Sequence, residues 1–222
     1  MKRRSSKRGF TLPEVLVSVA VLSFVVIAAT NLLVASIRSN AININTIVAY
    51  GLAQEGIEAV RNIRDSDWLL GADFRGQTGK QGFSPWGSAL PGSLMQSAFY
   101  TVDFKDPLDI EVKTSAQLLN VAPWKLEELA VGKDYGKSPE TLLFKKAYGS
   151  SKELRYTHES QSAEKTPFHR YVSVTPVEYS VGEGRISTKI RKYRVASVVE
   201  WEEYGTARSV RLETELTDWK KN

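Results

Sequence analysis

The chain contains no cysteine. Disulfide staples and thiolate metal sites are excluded, so a fold working outside the cell must hold without cross-links. Histidine is nearly absent, with only His158 and His169. There is no Gly-x-Ser-x-Gly, no His-Glu-x-x-His and no phosphate-binding glycine loop, and neither histidine lies near a nucleophile motif. Enzymatic chemistry therefore has no anchor, and no cofactor or metal is expected. Proline is missing from residues 14–84, so nothing there interrupts a long helix by removing a backbone donor. Acid is missing from residues 1–9, and charge of either sign is missing from Val15 to Ile37.

What is present is enough for one large or two small domains: 222 residues, 42% of them hydrophobic. Five tryptophans, nine tyrosines and eight phenylalanines point to ordered packing. The net charge of +5 equals the five cations of the first nine residues, Lys2, Arg3, Arg4, Lys7 and Arg8, so residues 10–222 are formally neutral. The basic balance belongs to a leader, which removes the main support for whole-chain nucleic-acid binding.

The uncharged run from Val15 to Ile37 has 23 residues. As a helix it spans roughly 35 Å, against about 30 Å for the hydrocarbon core of a bilayer. Arg38 marks its far end, and the leader cations place the N-terminus in the cytoplasm with the rest of the chain outside. A plain anchor and a cleaved secretory signal are the simplest readings. A signal-peptidase cut near Ala28-Ala29 is disfavoured because Leu32, Leu33, Val34 and Ile37 continue the run. Glu14 fits neither reading. A central acidic residue costs about 2.5–3.5 kcal/mol to insert, less near an end, and neither an anchor nor a signal needs one.

The stretch Lys7-Arg8-Gly9-Phe10-Thr11-Leu12-Pro13-Glu14-Val15-Leu16 resembles the class III leader junction of type IV pilins and type II secretion pseudopilins. The resemblance implies that a prepilin peptidase cuts between Gly9 and Phe10 and methylates the amine of Phe10. It also implies that Glu14, fifth in the mature chain, is an assembly contact for the Phe10 amine of a neighbouring subunit. Pro13 stands where the family usually has a large aliphatic residue, and a first helical turn tolerates it. Ala53-Gln54-Glu55-Gly56-Ile57-Glu58-Ala59-Val60-Arg61-Asn62-Ile63-Arg64 resembles a segment of minor pilins of the PilV/GspI kind. The closing pattern from Val198 to Trp219 is similar to the terminal hairpin of that group.

Beyond the run, Ile44, Val48, Leu52, Ala59, Val60 and Ile63 recur at helical spacing and predict one buried stripe, with a helix from about Pro13 to Arg64. Residues 71–93 hold six glycines and two prolines and read as a loop. Phe99–Phe104 alternates as a strand. Ala122–Leu129 reads as a short helix, and Ser138-Pro139 as the start of another, with Ser138 as N-cap. Leu154–His158, Phe168–Tyr179 and Arg185–Glu202 read as strands. In the last strand Val210, Leu212, Thr214 and Leu216 face one way, after a turn at Tyr204-Gly205-Thr206.

The expected fold is α+β and type IV pilin-like: a long N-terminal helix packed on a C-terminal antiparallel sheet of about four strands. Its divisions are a cleaved leader (1–9), a transmembrane and assembly half-helix (10–37), an amphipathic half-helix (38–64) and a globular head (65–222). Asp103, Asp106, Asp109 and Glu111 are oxygen ligands in a short span, but their spacing is not that of a calcium-binding EF-hand. Arg185, Lys189, Arg191, Lys192 and Arg194 form the one basic cluster of the head. Strand alternation splits it between two faces, so fewer phosphates would be neutralised and nucleic acid is not an expected partner. The expected role is a minor pilin or pseudopilin, a structural subunit built into a pilus, a secretion pseudopilus or a competence fibre. Its expected partners are the peptidase, other pilins, an inner-membrane assembly platform and lipid. The alternative is a membrane-anchored extracellular protein that binds DNA or a surface.

Overall fold

A computed structural model describes residues 9–69, 98–104, 124–148, 153–179 and 189–217. The elements are one helix, α1 (Leu12–Leu69), and seven strands: β1 (Ala98–Phe104), β2 (Trp124–Glu128), β3 (Leu142–Tyr148), β4 (Glu153–Thr157), β5 (Glu164–Tyr179), β6 (Lys189–Glu203) and β7 (Thr206–Thr217). The chain divides into two compact units, Met1–Asn45 and Thr46–Asn222. The expected loop at 71–93 lies outside the described residues, as do Asp106, Asp109, Glu111 and Arg185.

In the first unit the Thr11 carbonyl accepts the backbone N–H groups of Glu14 and Val15 at 3.1 and 3.2 Å, which opens the helix. Pro13 lies in the first turn, where a missing donor leaves nothing unpaired. Thr11 and Glu14 have the three-residue spacing of a capping box, and the Glu14 carboxylate meets the positive end of the helix. The apolar run has a window of mean hydropathy 2.4, none of it buried. Three of its four hydroxyls are satisfied internally. Ser18, Ser23 and Thr30 donate to the carbonyls four residues back, of Glu14, Val19 and Val26, at 2.7, 2.8 and 2.8 Å.

In the second unit the sheet is antiparallel throughout and centred on β5. One edge of β5 pairs with β6 from Phe168 to Tyr179, and β7 follows β6. The other edge is shared. The β3–β4 hairpin takes Glu164 to His169, and the β1–β2 hairpin takes Val172 to Val174. A two-residue turn joins β6 to β7. Tyr204 and Gly205 both have positive φ, 50° and 74°, the signature of a type I′ hairpin.

The α1 residues from Ala49 onward cover one face of the sheet. Two apolar clusters form there. Ala59, Val60 and Ile63 pack with Tyr100, Val102, Val172, Val195 and Leu216. Ala49, Leu52 and Ala53 pack with Leu143, Phe168, Val199 and Trp201. Ile44, expected in this stripe, is instead exposed. Gly56 lies at the closest approach. A Cβ built on it would stand 2.4 Å from Ser197 Oγ, 3.2 Å from Ser197 Cβ and 3.3 Å from Val172 Cγ2.

Four expectations are corrected. Residues 122 and 123 of the helix expected over 122–129 lie outside the described residues, and Trp124–Glu128 form the edge strand β2. Its residues pair with β1 from Tyr100↔Glu128 to Phe104↔Trp124, and the Trp124 ring meets Phe104 edge-on at 5.4 Å. Pairing here overrides the helix preference of Lys, Leu and Glu. The helix expected from Ser138 closes after one turn. Ser138 Oγ does accept the Glu140 N–H, at 3.4 Å, but Thr141 bonds back to Ser138 O and its own carbonyl accepts the Arg170 N–H at 2.8 Å. Those bonds carry the chain into β3. Among the described residues the sheet therefore has seven strands, not about four. The helix also passes the expected end at Arg64 and runs to Leu69.

The close approach makes two glycines separable. Gly56→Val should destabilise the second unit by about 1–3 kcal/mol through overpacking. Gly51→Ala, whose Cβ would meet nothing within 4 Å, should instead stabilise by about 0.5–1 kcal/mol. Urea denaturation followed by tryptophan fluorescence measures both.

Candidate functional site

The residues expected to be functional at the N-terminus are all open to solvent. Phe10 is 82% exposed and precedes the first helical residue. Gly9 has no atom within 4 Å of where a Cβ would stand, and its φ lies outside the left-handed region. The fold does not require glycine at this position, so any demand for it comes from outside the folded chain. Glu14 is exposed in the first turn of α1. While the Gly9–Phe10 bond is intact the Phe10 nitrogen is an uncharged amide, so an amine for Glu14 to meet arises only on cleavage.

In the second unit the structure assembles a buried polar network where the two hairpins part along β5. Arg170 lies there with no exposed surface. Its guanidinium donates to Glu55 Oε1 at 3.0 Å, to Val102 O at 2.6 Å and to Leu52 O at 3.5 Å. The network thus ties α1, β1 and β5 together. Sequence reasoning missed it, although a signal was present. The inward row Phe168-x-Arg170-x-Val172-x-Val174 places a cation where only apolar residues are expected, and Glu55 adjoins the close-approach glycine.

Both histidines belong to this framework. His158 Nδ1 lies 2.9 Å from Asp103 Oδ1 and its Nε2 lies 3.2 Å from the Arg170 carbonyl oxygen, so both ring nitrogens are engaged. Asp103 Oδ1 also accepts the Thr157 hydroxyl at 3.2 Å and the His158 N–H at 2.8 Å. These bonds join the end of β1 to the end of β4. Burial opposes ionisation of Asp103, but the hydrogen bonds and charge of His158 prevail and hold its carboxyl below the usual range. His169 Nδ1 is 3.1 Å from both Ser138 O and Thr141 Oγ1, and burial lowers its pKa. Among the described residues no cluster of His, Asp and Glu is arranged to hold a metal ion.

Of the basic cluster, the side chains of Lys192 and Arg194 are described. Lys192 and Arg194 share Glu215 across the β6–β7 pair at 3.2 and 3.6 Å. A hydrogen bond from Lys192 holds the Glu215 carboxyl below its ordinary range. A register shift between Ile190 and Lys192, opposite Val177/Glu178, interrupts the alternation at Arg191.

The chain matches the prokaryotic N-terminal methylation motif over residues 4–30, a segment that contains Gly9, Phe10 and Glu14. No curated protein and no solved structure matches it. The motif and the long apolar helix fit a type IV pilin-like protein, processed by prepilin peptidase, assembling with other pilins and anchored in a membrane.

Removing Glu55 leaves the Arg170 cation buried without its carboxylate. Glu55→Ala should cost roughly 3 kcal/mol, the low end for a broken buried pair because Glu55 is partly exposed. Adding Arg170→Met should recover most of that loss in denaturation experiments. The pH dependence has two steps of one sign. His169 is depressed in the folded state, so protons bind the unfolded chain first and stability falls as pH drops below about 6.5. The Asp103 contribution is complete above about pH 3.9, the unfolded value, and is lost as pH falls through its lower folded value. Denaturation midpoints from pH 7 to 2.5 should show both steps. Asp103→Asn should flatten the lower step alone, and His169→Gln the upper.

Proposed function

We propose that this type IV pilin-like protein is a minor pilin or pseudopilin, a structural subunit that is built into, or primes, a pilus or pseudopilus. The match to the methylation motif over residues 4–30 carries the reading. Three further features support it: a glycine at the junction that the fold does not need, an exposed apolar run of spanning length, and a lone carboxylate at its start.

The mechanism is electrostatic. Hydrolysis of the Gly9–Phe10 bond releases the basic leader with its five cations and leaves an ammonium at Phe10. Methylation keeps that nitrogen basic, so the positive charge persists. An ammonium and a carboxylate are each costly in hydrocarbon when alone, and pairing relieves both. Glu14 of one subunit therefore accepts the Phe10 amine of the next and sets the register of neighbouring helices. Retention of this acid suits a place within the fibre or its initiating complex. The basic leader orients the chain with its N-terminus in the cytoplasm and residues beyond Arg38 outside, ready for an inner-membrane platform to lift it out. The head works by presenting surface, not by catalysis. The DNA-binding alternative loses support because Lys192 and Arg194 are held by Glu215.

Two substitutions separate processing from assembly. Gly9→Leu should block cleavage and leave full-length chain in the membrane. Glu14→Ala should be inserted and cleaved normally but lower incorporation into sheared fibres at least tenfold. Normal incorporation of Glu14→Ala would remove the pairing from the account.

A further inference from the structure

Asn31 stands inside the uncharged run, six residues before Ile37 and so roughly 9 Å within its far end. The neighbouring hydroxyls of Ser23 and Thr30 are satisfied by their own helix. The Asn31 carboxamide hydrogen-bonds to no described residue. In hydrocarbon there is no water to replace a partner, and so short a side chain does not reach the interface. Ala28 and Ala35, three residues before and four after, lie on the same helix face. Small flanking residues let a second helix approach closely.

We propose that Asn31 is the polar contact of a membrane-embedded pair, made with Asn31 of a second copy of this chain. The inference rests on the membrane-spanning reading of the run. A carboxamide both donates and accepts, so two of them satisfy each other reciprocally. The basic leader gives every copy the same orientation, which makes two copies parallel and brings their Asn31 residues to the same depth. A wholly apolar partner helix would leave the amide unpaired. Unlike the contact between Glu14 and a freed Phe10 amine, this one needs no cleavage and forms in the unprocessed chain.

The absence of cysteine makes the test direct, because one introduced thiol reports one position. Full-length chain carrying Ala35→Cys or Leu33→Cys is reconstituted into phosphatidylcholine vesicles and oxidised. Leu33 lies about 200° around the helix from Asn31. Ala35→Cys should form several-fold more disulfide dimer than Leu33→Cys. Adding Asn31→Leu should lower the Ala35→Cys dimer several-fold, and adding Asn31→Gln should preserve most of it. No dimer at Ala35→Cys, equal yields at the two positions, or a yield indifferent to Asn31→Leu would overturn the pair while leaving the span intact. Chain released from the vesicles by alkaline carbonate would overturn the spanning reading, and the pair with it.

Discussion

Arg170 occupies the point where the two hairpins separate along the edge of β5, and the second unit supplies acceptors to both of its terminal nitrogens, while its buried Nε has none among the described residues. A guanidinium with no exposed surface needs fixed acceptors, and these come from two elements: the Glu55 carboxylate and Leu52 carbonyl of α1, and the Val102 carbonyl of β1. The same residue holds β3 through Thr141 and offers its own carbonyl to His158, which is bonded to Asp103. Gly56, one residue from Glu55, removes the side chain that would otherwise hold α1 away from β5 and β6. Polar satisfaction and close packing thus demand the same placement of the helix. That gives the Ala53–Gly56 segment, singled out first by resemblance, a physical meaning as a docking segment.

The first unit follows a different logic. Its apolar surface is open, the hydroxyls of Ser18, Ser23 and Thr30 bond to their own helix, and its one carboxylate lies at the helix start. Among the described residues nothing calls for glycine at position 9 or buries Phe10. Such residues make sense through events outside the fold: a cut, a methyl transfer and a meeting of helices. On the proposed reading the first unit is processed and packs among its own kind, while the second holds its fold without disulfides.

Much of this was legible in the sequence because two periodicities are strong. The long apolar run and the alternation in β5, β6 and β7 announce a helix and a half-buried sheet, and Tyr204-Gly205 announces the turn between the last strands. Of the short strands, β1 and β4 were legible and β2 and β3 were not. Trp124–Glu128 and Leu142–Tyr148 have compositions that suit a helix equally well, and only pairing with β1, β4 and β5 decides between them. Asp103 read only as one of four acids in a short span because its partner lies 55 residues away at His158. At the N-terminus the order is reversed. The motif is plain in the sequence, while the folded chain by itself gives Gly9 and Phe10 no task.

The central claim is that Phe10 becomes a charged, methylated terminus inside the membrane, and one measurement addresses it directly. Mass spectrometry of the N-terminal peptide of native protein from the cell envelope should find a chain beginning at Phe10 with one added methyl group. A chain beginning at Met1, or one cut within the apolar run near Ala29, would contradict the account.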